Sequence, residues 1–300
     1  MTIYYSLFTY LMNDVHDSRP PHRGLKKGLF VIPTLFTAAN IGMGFLAVMM
    51  SIRGYHASFT NPALAAEFFN VAALAIGLAI LFDTIDGRVA RATRTATEIG
   101  VQLDSLADVV TFGIAPTALV YAWSFGGIYN EGTFPHNLGI FLLFAYLMCG
   151  AFRLARFNLQ ATRPQKLEEG ATKLDKKNFV GLPIPPAGGL LASIIHFAPM
   201  PLNSYGESTA QLYGYALMGL IAILGILMVS KIRYSSMKTA GAGPQGILLV
   251  VLIAGLAMFV YFYSRYALLA ISGIYVLHGL IWWIIRALTV KRSSGEPKSA

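Results

Sequence analysis

The sequence predicts an all-α, polytopic membrane protein with about eight transmembrane helices, and three observations predict it. Of its 300 residues 55% are hydrophobic and only 12% are charged, whereas a soluble domain carries about 25% charged residues. Apolar stretches near the roughly 20 residues needed to cross hydrocarbon recur at 30–52, 67–87, 101–124, 136–155, 183–200, 211–230, 246–263 and 267–286. The basic residues then alternate as the positive-inside rule requires. All but Arg53 and Arg265 of the 23 Lys and Arg fall in the N-terminal segment, the 88–94 turn, the 153–177 and 231–238 loops and the C-terminal end from Arg286 onward. Both termini are thereby assigned to the cytoplasm, and the number of spans must be even.

Taken in order, residues 1–27 form a cytoplasmic N-terminal segment. It lacks a basic start and a small-residue cleavage site, so it reads as retained and not as a secretory signal. Its apolar stretch from Ile3 to Leu11 suits either an interfacial segment or a disordered tail. Residues 28–288 form one transmembrane domain, in which the loops after the second, fourth and sixth spans are basic. Residues 289–300 read as a solvated cytoplasmic tail. The net charge of +9 suits a surface facing anionic lipid. Its dispersal among membrane loops argues against nucleic acid as a partner. Cys149 is the only cysteine, which excludes an intrachain disulfide and a cysteine-based metal cluster.

Only 14 residues are acidic, yet Asp83, Asp86, Asp104 and Asp108 lie inside or beside two apolar spans. A central membrane Asp costs about 2.5–3.5 kcal/mol, so four ionised and unpaired would cost on the order of 10 kcal/mol. One remedy is a structural ion network with Arg88, Arg91 and Arg94. The spacing favours another. Asp83 and Asp86 are three apart and Asp104 and Asp108 four apart, so each pair shares a helix face. Four converging carboxylates call for one or two divalent cations, and two would balance the charge. With no His or Cys in the segment, Mg²⁺ or Mn²⁺ is favoured over zinc. Such ions clamp diphosphates. Gly87 and Gly100 suggest close approach of a backbone or ligand, or helix packing by small residues. Arg91, one turn beyond Gly87, suits a phosphate contact or a snorkelling interfacial side chain.

Read together, Asp83-x2-Asp86-Gly87-x2-Ala90-Arg91-x8-Gly100-x3-Asp104-x3-Asp108 resembles the signature of the CDP-alcohol phosphotransferases at every fixed position. Within that family the accessory segments resemble the integral-membrane phosphatidylserine synthases. They are IPTLFTAANIGMGF at 32–45, the stretch 86–116, CGAFRLARFN at 149–158, GLPIPPAGG at 181–189 and VSKIRYSSMK at 229–238. The resemblance runs from residue 28 to about residue 240, and Thr34 and Ile184 depart from it, since Asn and a small polar residue are common there.

The resemblance implies the CDP-alcohol phosphotransferase fold, a homodimer, and transfer of the phosphatidyl group of CDP-diacylglycerol to the hydroxyl of L-serine, with release of CMP. It also implies that Asp83, Asp86 and Asp104 ligate metal, that Asp108 is both ligand and catalytic base, and that Gly87, Arg91, Thr97 and Gly100 contact the CDP portion. The residue pattern alone does not single out Asp108. No activated Ser or Cys is evident to form a covalent intermediate, which favours direct displacement. Arg153, Arg156 and Asn158, with Lys231 and Arg233, are candidates for the acceptor carboxylate or donor phosphates, or equally for positive-inside anchoring. His196 and His278 read as packing or interface residues.

Two other classes hold cations or diphosphates with membrane carboxylates. Intramembrane prenyltransferases place their acidic motifs far apart in sequence, and a cation transporter would carry a matching acidic pair in its second half, which is absent. Within the family, glycerol phosphate, inositol phosphate and choline are the rival acceptors, and the accessory segments favour serine.

Overall fold

The computed structural model describes residues 23–93, 98–162, 178–230, 233–235 and 263–293. Helices dominate it. Helix α1 (Arg23–Ser58) and helix α2 (Pro62–Thr93) form an extended hairpin. Asn61 precedes Pro62, and its Oδ1 accepts the Leu64 backbone N–H at 3.1 Å. That is an N-cap followed by proline at a position whose N–H has no helical partner. Small residues let the pair approach: Ala65, Ala72, Ala73, Ala75 and Ala79 are buried with Phe69 and Ile76 between them.

Helix α3 (Glu98–Asp108) runs directly into a π-helical turn (Val109–Ile114), an α-helical segment (Ala115–Val120), a second π-helical stretch (Tyr121–Phe125) and a last turn (Gly126–Ile128). The first π turn is buried through Thr111, Phe112 and Gly113. It is braced from two sides: Thr111 Oγ1 donates to the Asn40 carbonyl of α1 at 3.1 Å, and the Tyr146 hydroxyl donates to the Phe112 carbonyl at 3.1 Å. Gly44 makes the first contact possible, because a Cβ there would lie 2.5 Å from Thr111 Oγ1 and 2.9 Å from its Cα.

Helix α4 (Phe134–Thr162) packs on helix α6 (Glu207–Val229). Helix α5 (Ile184–Phe197) lies against both α2 and helix α7 (Ser264–Ser293). Strand β1 (Asn178–Val180) pairs antiparallel with strand β2 (Arg233–Ser235), Val180 facing Arg233. Gly181 turns the chain out of β1 at φ 84°, and a Cβ there would lie 2.3 Å from the Met228 carbonyl oxygen. The ribbon is thereby held against the end of α6.

Among the described residues, five helical stretches are long and apolar enough to cross a membrane: Leu35–Ser58, Pro62–Gly87, Ile99–Ile128, Phe134–Leu159 and Glu207–Val229. Large apolar side chains such as Phe45, Phe141, Phe152, Leu212 and Ile226 point outward, as an integral membrane protein requires. The expected 88–94 turn is helical as far as Thr93, where α2 ends, and the first part of the 153–177 loop is helical as far as Thr162, where α4 ends. Ala, Leu, Gln and Arg dominate both extensions and are strong helix formers, so the helices outlast their apolar stretches. The expected span at 183–200 is a helix of only 14 residues, rising about 21 Å against a hydrocarbon core of about 30 Å. The span at 267–286 falls within α7. Nearly all of the span at 246–263, the segment 1–22, Thr97, Lys231 and the last seven residues of the tail lie outside the described residues.

Away from the aspartates, His196 ties three helices together. Its Nδ1 pairs with Asn70 Oδ1 of α2 at 2.6 Å and its Nε2 with Ser264 Oγ of α7 at 2.9 Å. The packing role expected for His196 has this specific form.

Candidate active site

The aspartate motif is divided between the last turns of α2 and the length of α3. Asp83 and Asp86 are three residues apart on α2, the first half-buried and the second 5% exposed. Asp104 is half-buried on α3, and Asp108 ends its α-helical part, 9% exposed, immediately before the first π turn. Asp83 and Asp104 act on Asp108 through their charge, so the two helices bring three of the four carboxylates into one electrostatic neighbourhood. Asp86 is fixed separately, since Thr37 of α1 donates its hydroxyl to Asp86 Oδ2.

Helix α4 supplies a cation. Arg153 lies within electrostatic range of Asp108 and of Tyr275 on α7, and its Nε is buried with no hydrogen-bond partner. One turn further, Asn158 Nδ2 donates to Ser105 Oγ at 2.9 Å, which ties α4 to the helix carrying Asp104. Arg156 points outward and is exposed. Arg233 sits in β2, and Arg91 lies in the last turns of α2. Gly87 is half-buried beside Asp86, and Gly100 is exposed one turn before Asp104.

The donor set around Asp108 suits a hard divalent cation by chemistry. It is made of carboxylate oxygens, and Asp108 Oδ1 is buried with no protein partner. A buried carboxylate oxygen left unpaired is costly unless something else occupies its lone pairs. Among the described residues no three His, Cys, Asp or Glu side chains stand closely enough together to form a ready-made cage. Like charges drawn together without a counter-ion repel, so protein side chains alone have no force that would close such a cage.

An apolar cavity of about 570 Å³ opens between α4 and α6. Leu142, Tyr146, Cys149, Ile221 and Gly225 line it together with Ser230. Tyr146 connects it to the first π turn through the Phe112 carbonyl, and Cys149 lies one turn before Arg153.

The family model for CDP-alcohol phosphatidyltransferases matches residues 30–290, nearly the whole chain. The chain belongs to the CDP-alcohol phosphatidyltransferase family. Among its curated relatives, a CDP-diacylglycerol–serine O-phosphatidyltransferase of Helicobacter pylori is 32% identical over 272 residues, covering 91% of this chain and 98% of that protein. An enzyme of the same name from Methanocaldococcus jannaschii is 34% identical over 210 residues, or 70% of this chain and 82% of the relative. An archaetidylserine synthase of Methanothermobacter thermautotrophicus is 30% identical over 213 residues, with 70% and 72% covered.

This family member also carries polar residues at the site that the motif does not contain. Thr37 of α1 comes to Asp86, Asn40 of α1 to Thr111 in the first π turn, and Tyr275 of α7 to Arg153 only through the fold. A signal for the first two was present in the sequence, since Thr and Asn three residues apart inside an apolar span share one helix face.

Proposed function

We propose that this chain is a CDP-diacylglycerol–serine O-phosphatidyltransferase, which transfers the phosphatidyl group of CDP-diacylglycerol to L-serine and releases CMP. The observation that carries the chemistry is Asp108, buried at the start of a π turn with one carboxylate oxygen unpartnered and with Asp83, Asp104 and Arg153 acting on it. π turns recur at functional sites because they displace side chains from regular helical register. The names of the relatives support serine as acceptor.

Asp83, Asp86, Asp104 and Asp108 would hold the divalent cations, Mg²⁺ or Mn²⁺ and two by charge balance. When bound, such ions draw charge from the diphosphate and ease departure of CMP. The protein's own steps are simple. Asp108 accepts the proton of the serine hydroxyl, the serine oxygen bonds to the β-phosphorus, and the bond from that phosphorus to the CMP oxygen breaks. Arg153 offers its unpaired Nε–H to the serine carboxylate or to a donor phosphate. Gly87, Arg91, Thr97 and Gly100 are assigned to the CDP portion, and Arg156, Asn158, Lys231 and Arg233 to the polar surround. The cavity between α4 and α6 is assigned to a donor acyl chain, because it is apolar and its lining residue Cys149 lies one turn before Arg153.

In the bilayer we assign eight spans, adding α5, α7 and residues 246–263 to the five long apolar helices. The distribution of Lys and Arg supports cytoplasmic termini and a cytoplasmic active site. The chain is assigned as a homodimer on family grounds.

The test is CMP release from CDP-diacylglycerol by purified protein in detergent, with Mn²⁺ or Mg²⁺, against serine, glycerol 3-phosphate, inositol phosphate and choline. Serine-dependent release that EDTA abolishes is expected. Metal-dependent release with another alcohol alone would overturn the acceptor, and no release with any acceptor would overturn the enzyme reading.

A further inference from the structure

Asn40 is the most anomalous polar residue in the described part of the molecule. It lies in the middle of α1, it is 1% exposed, and both its Nδ2 and its Oδ1 are buried without a hydrogen-bond partner. A buried amide with neither group satisfied destabilises a fold, and native proteins retain such groups where another partner is expected. Leucine would fill nearly the same volume without that penalty. The environment points to the partner. One turn earlier on the same face, Thr37 donates to Asp86. The Asn40 carbonyl accepts the hydroxyl of Thr111, which stands three residues after Asp108 on the catalytic helix. Asn40 is thus tied through its carbonyl to the helix that carries Asp108, one turn from the Thr37 that holds Asp86, and Asp108 Oδ1 is itself buried and unpartnered.

We infer that Thr37 and Asn40 form a supporting edge on α1 for the four carboxylates, with Thr37 orienting Asp86 and the buried Asn40 amide supporting the carboxylates beside the helix that carries Asp108. This rests on the reading of the four aspartates as a divalent-cation site. Neither residue belongs to the motif, and neither touches a reacting atom: both are positioning residues. Their work is to hold carboxylates in ligating orientation against mutual repulsion, and residues in that role typically change metal affinity by about 10–100-fold when removed.

The test is Mn²⁺ affinity, read by electron paramagnetic resonance of free Mn²⁺ in a titration of the full-length protein in detergent, without substrate. Thermal unfolding in EDTA is measured beside it. Asn40→Leu should bind Mn²⁺ about 10–100-fold more weakly, while its unfolding temperature in EDTA stays the same or rises, because an unsatisfied buried amide has been replaced by a hydrocarbon. Thr37→Val, close to isosteric, should also weaken Mn²⁺ binding, and Thr37→Ser should restore it. Wild-type Mn²⁺ affinity in both Asn40→Leu and Thr37→Val would overturn the inference and leave the cation site standing. If Asn40→Leu does not fold, the Thr37 pair decides. Absence of Mn²⁺ binding by the wild type would instead bring down the reading on which the inference rests.

Discussion

Replacement of Asp108 by asparagine separates proton transfer from almost everything else that this side chain does. Asparagine has nearly the same volume and shape, so the site at the head of the π turn keeps its packing, including the Thr111 and Tyr146 hydrogen bonds that brace it. What is lost is a basic carboxylate oxygen, together with one negative charge beside Asp83 and Asp104. General-base catalysis contributes about 10²–10⁴-fold, which at 1.36 kcal/mol per decade is a barrier increase of about 3–5 kcal/mol. Because the residue is 9% exposed, bulk water has little access to substitute as base. The expected result is a fall in kcat of at least about 10²-fold, with the KM for CDP-diacylglycerol changed far less. The assay is serine-dependent CMP release at saturating Mn²⁺, with donor binding measured separately on the same preparation. A kcat within a few-fold of wild type would remove Asp108 from the proton transfer. Loss of donor binding with kcat intact would make it a binding residue only.

Asp83→Ala and Asp104→Ala should each raise the Mn²⁺ concentration needed for half-maximal CMP release and weaken donor binding with it; full activity in EDTA would make the cluster structural. Gly44→Ala should destabilise the fold by about 1–3 kcal/mol, since the added carbon would lie 2.9 Å from the Thr111 Cα and backbone cannot step aside; an unchanged unfolding temperature would show that α1 and the π turn are not in close contact. Gly225→Leu should leave the fold intact, because a Cβ there meets Cys149 Sγ at an ordinary 3.6 Å. Its side chain would occupy the cavity between α4 and α6, so the KM should rise for a long-chain donor and not for a short-chain one. Equal effects on both would exclude that cavity as an acyl site.

How much of this was legible in the sequence differs between parts of the molecule. The membrane class and the long spans were legible, because each depends on apolar composition over a length fixed by the bilayer. Where helices end was not. α2 and α4 continue past their apolar stretches into Arg- and Ala-containing turns, since helix propensity and membrane partition are separate forces. The β1–β2 ribbon was invisible, as strands of three residues carry no periodic signal, and their pairing depends on the end of α6 holding Gly181.

The sequence by itself determined the identity and pairing of the four aspartates, the family, and the separation of basic from apolar segments, since each is a matter of residue type at fixed short spacing. Tertiary structure alone decided which distant residues meet them. It set Thr37 and Asn40 of α1 against Asp86 and the first π turn, Arg153 within electrostatic range of Asp108 and Tyr275, and the Tyr146 hydroxyl on the Phe112 carbonyl. The π turn itself belongs to this second group. Its wider hydrogen-bond ring is maintained by contacts from α1 and α4 across gaps of 71 and 34 residues, and no local pattern encodes contacts made at that range.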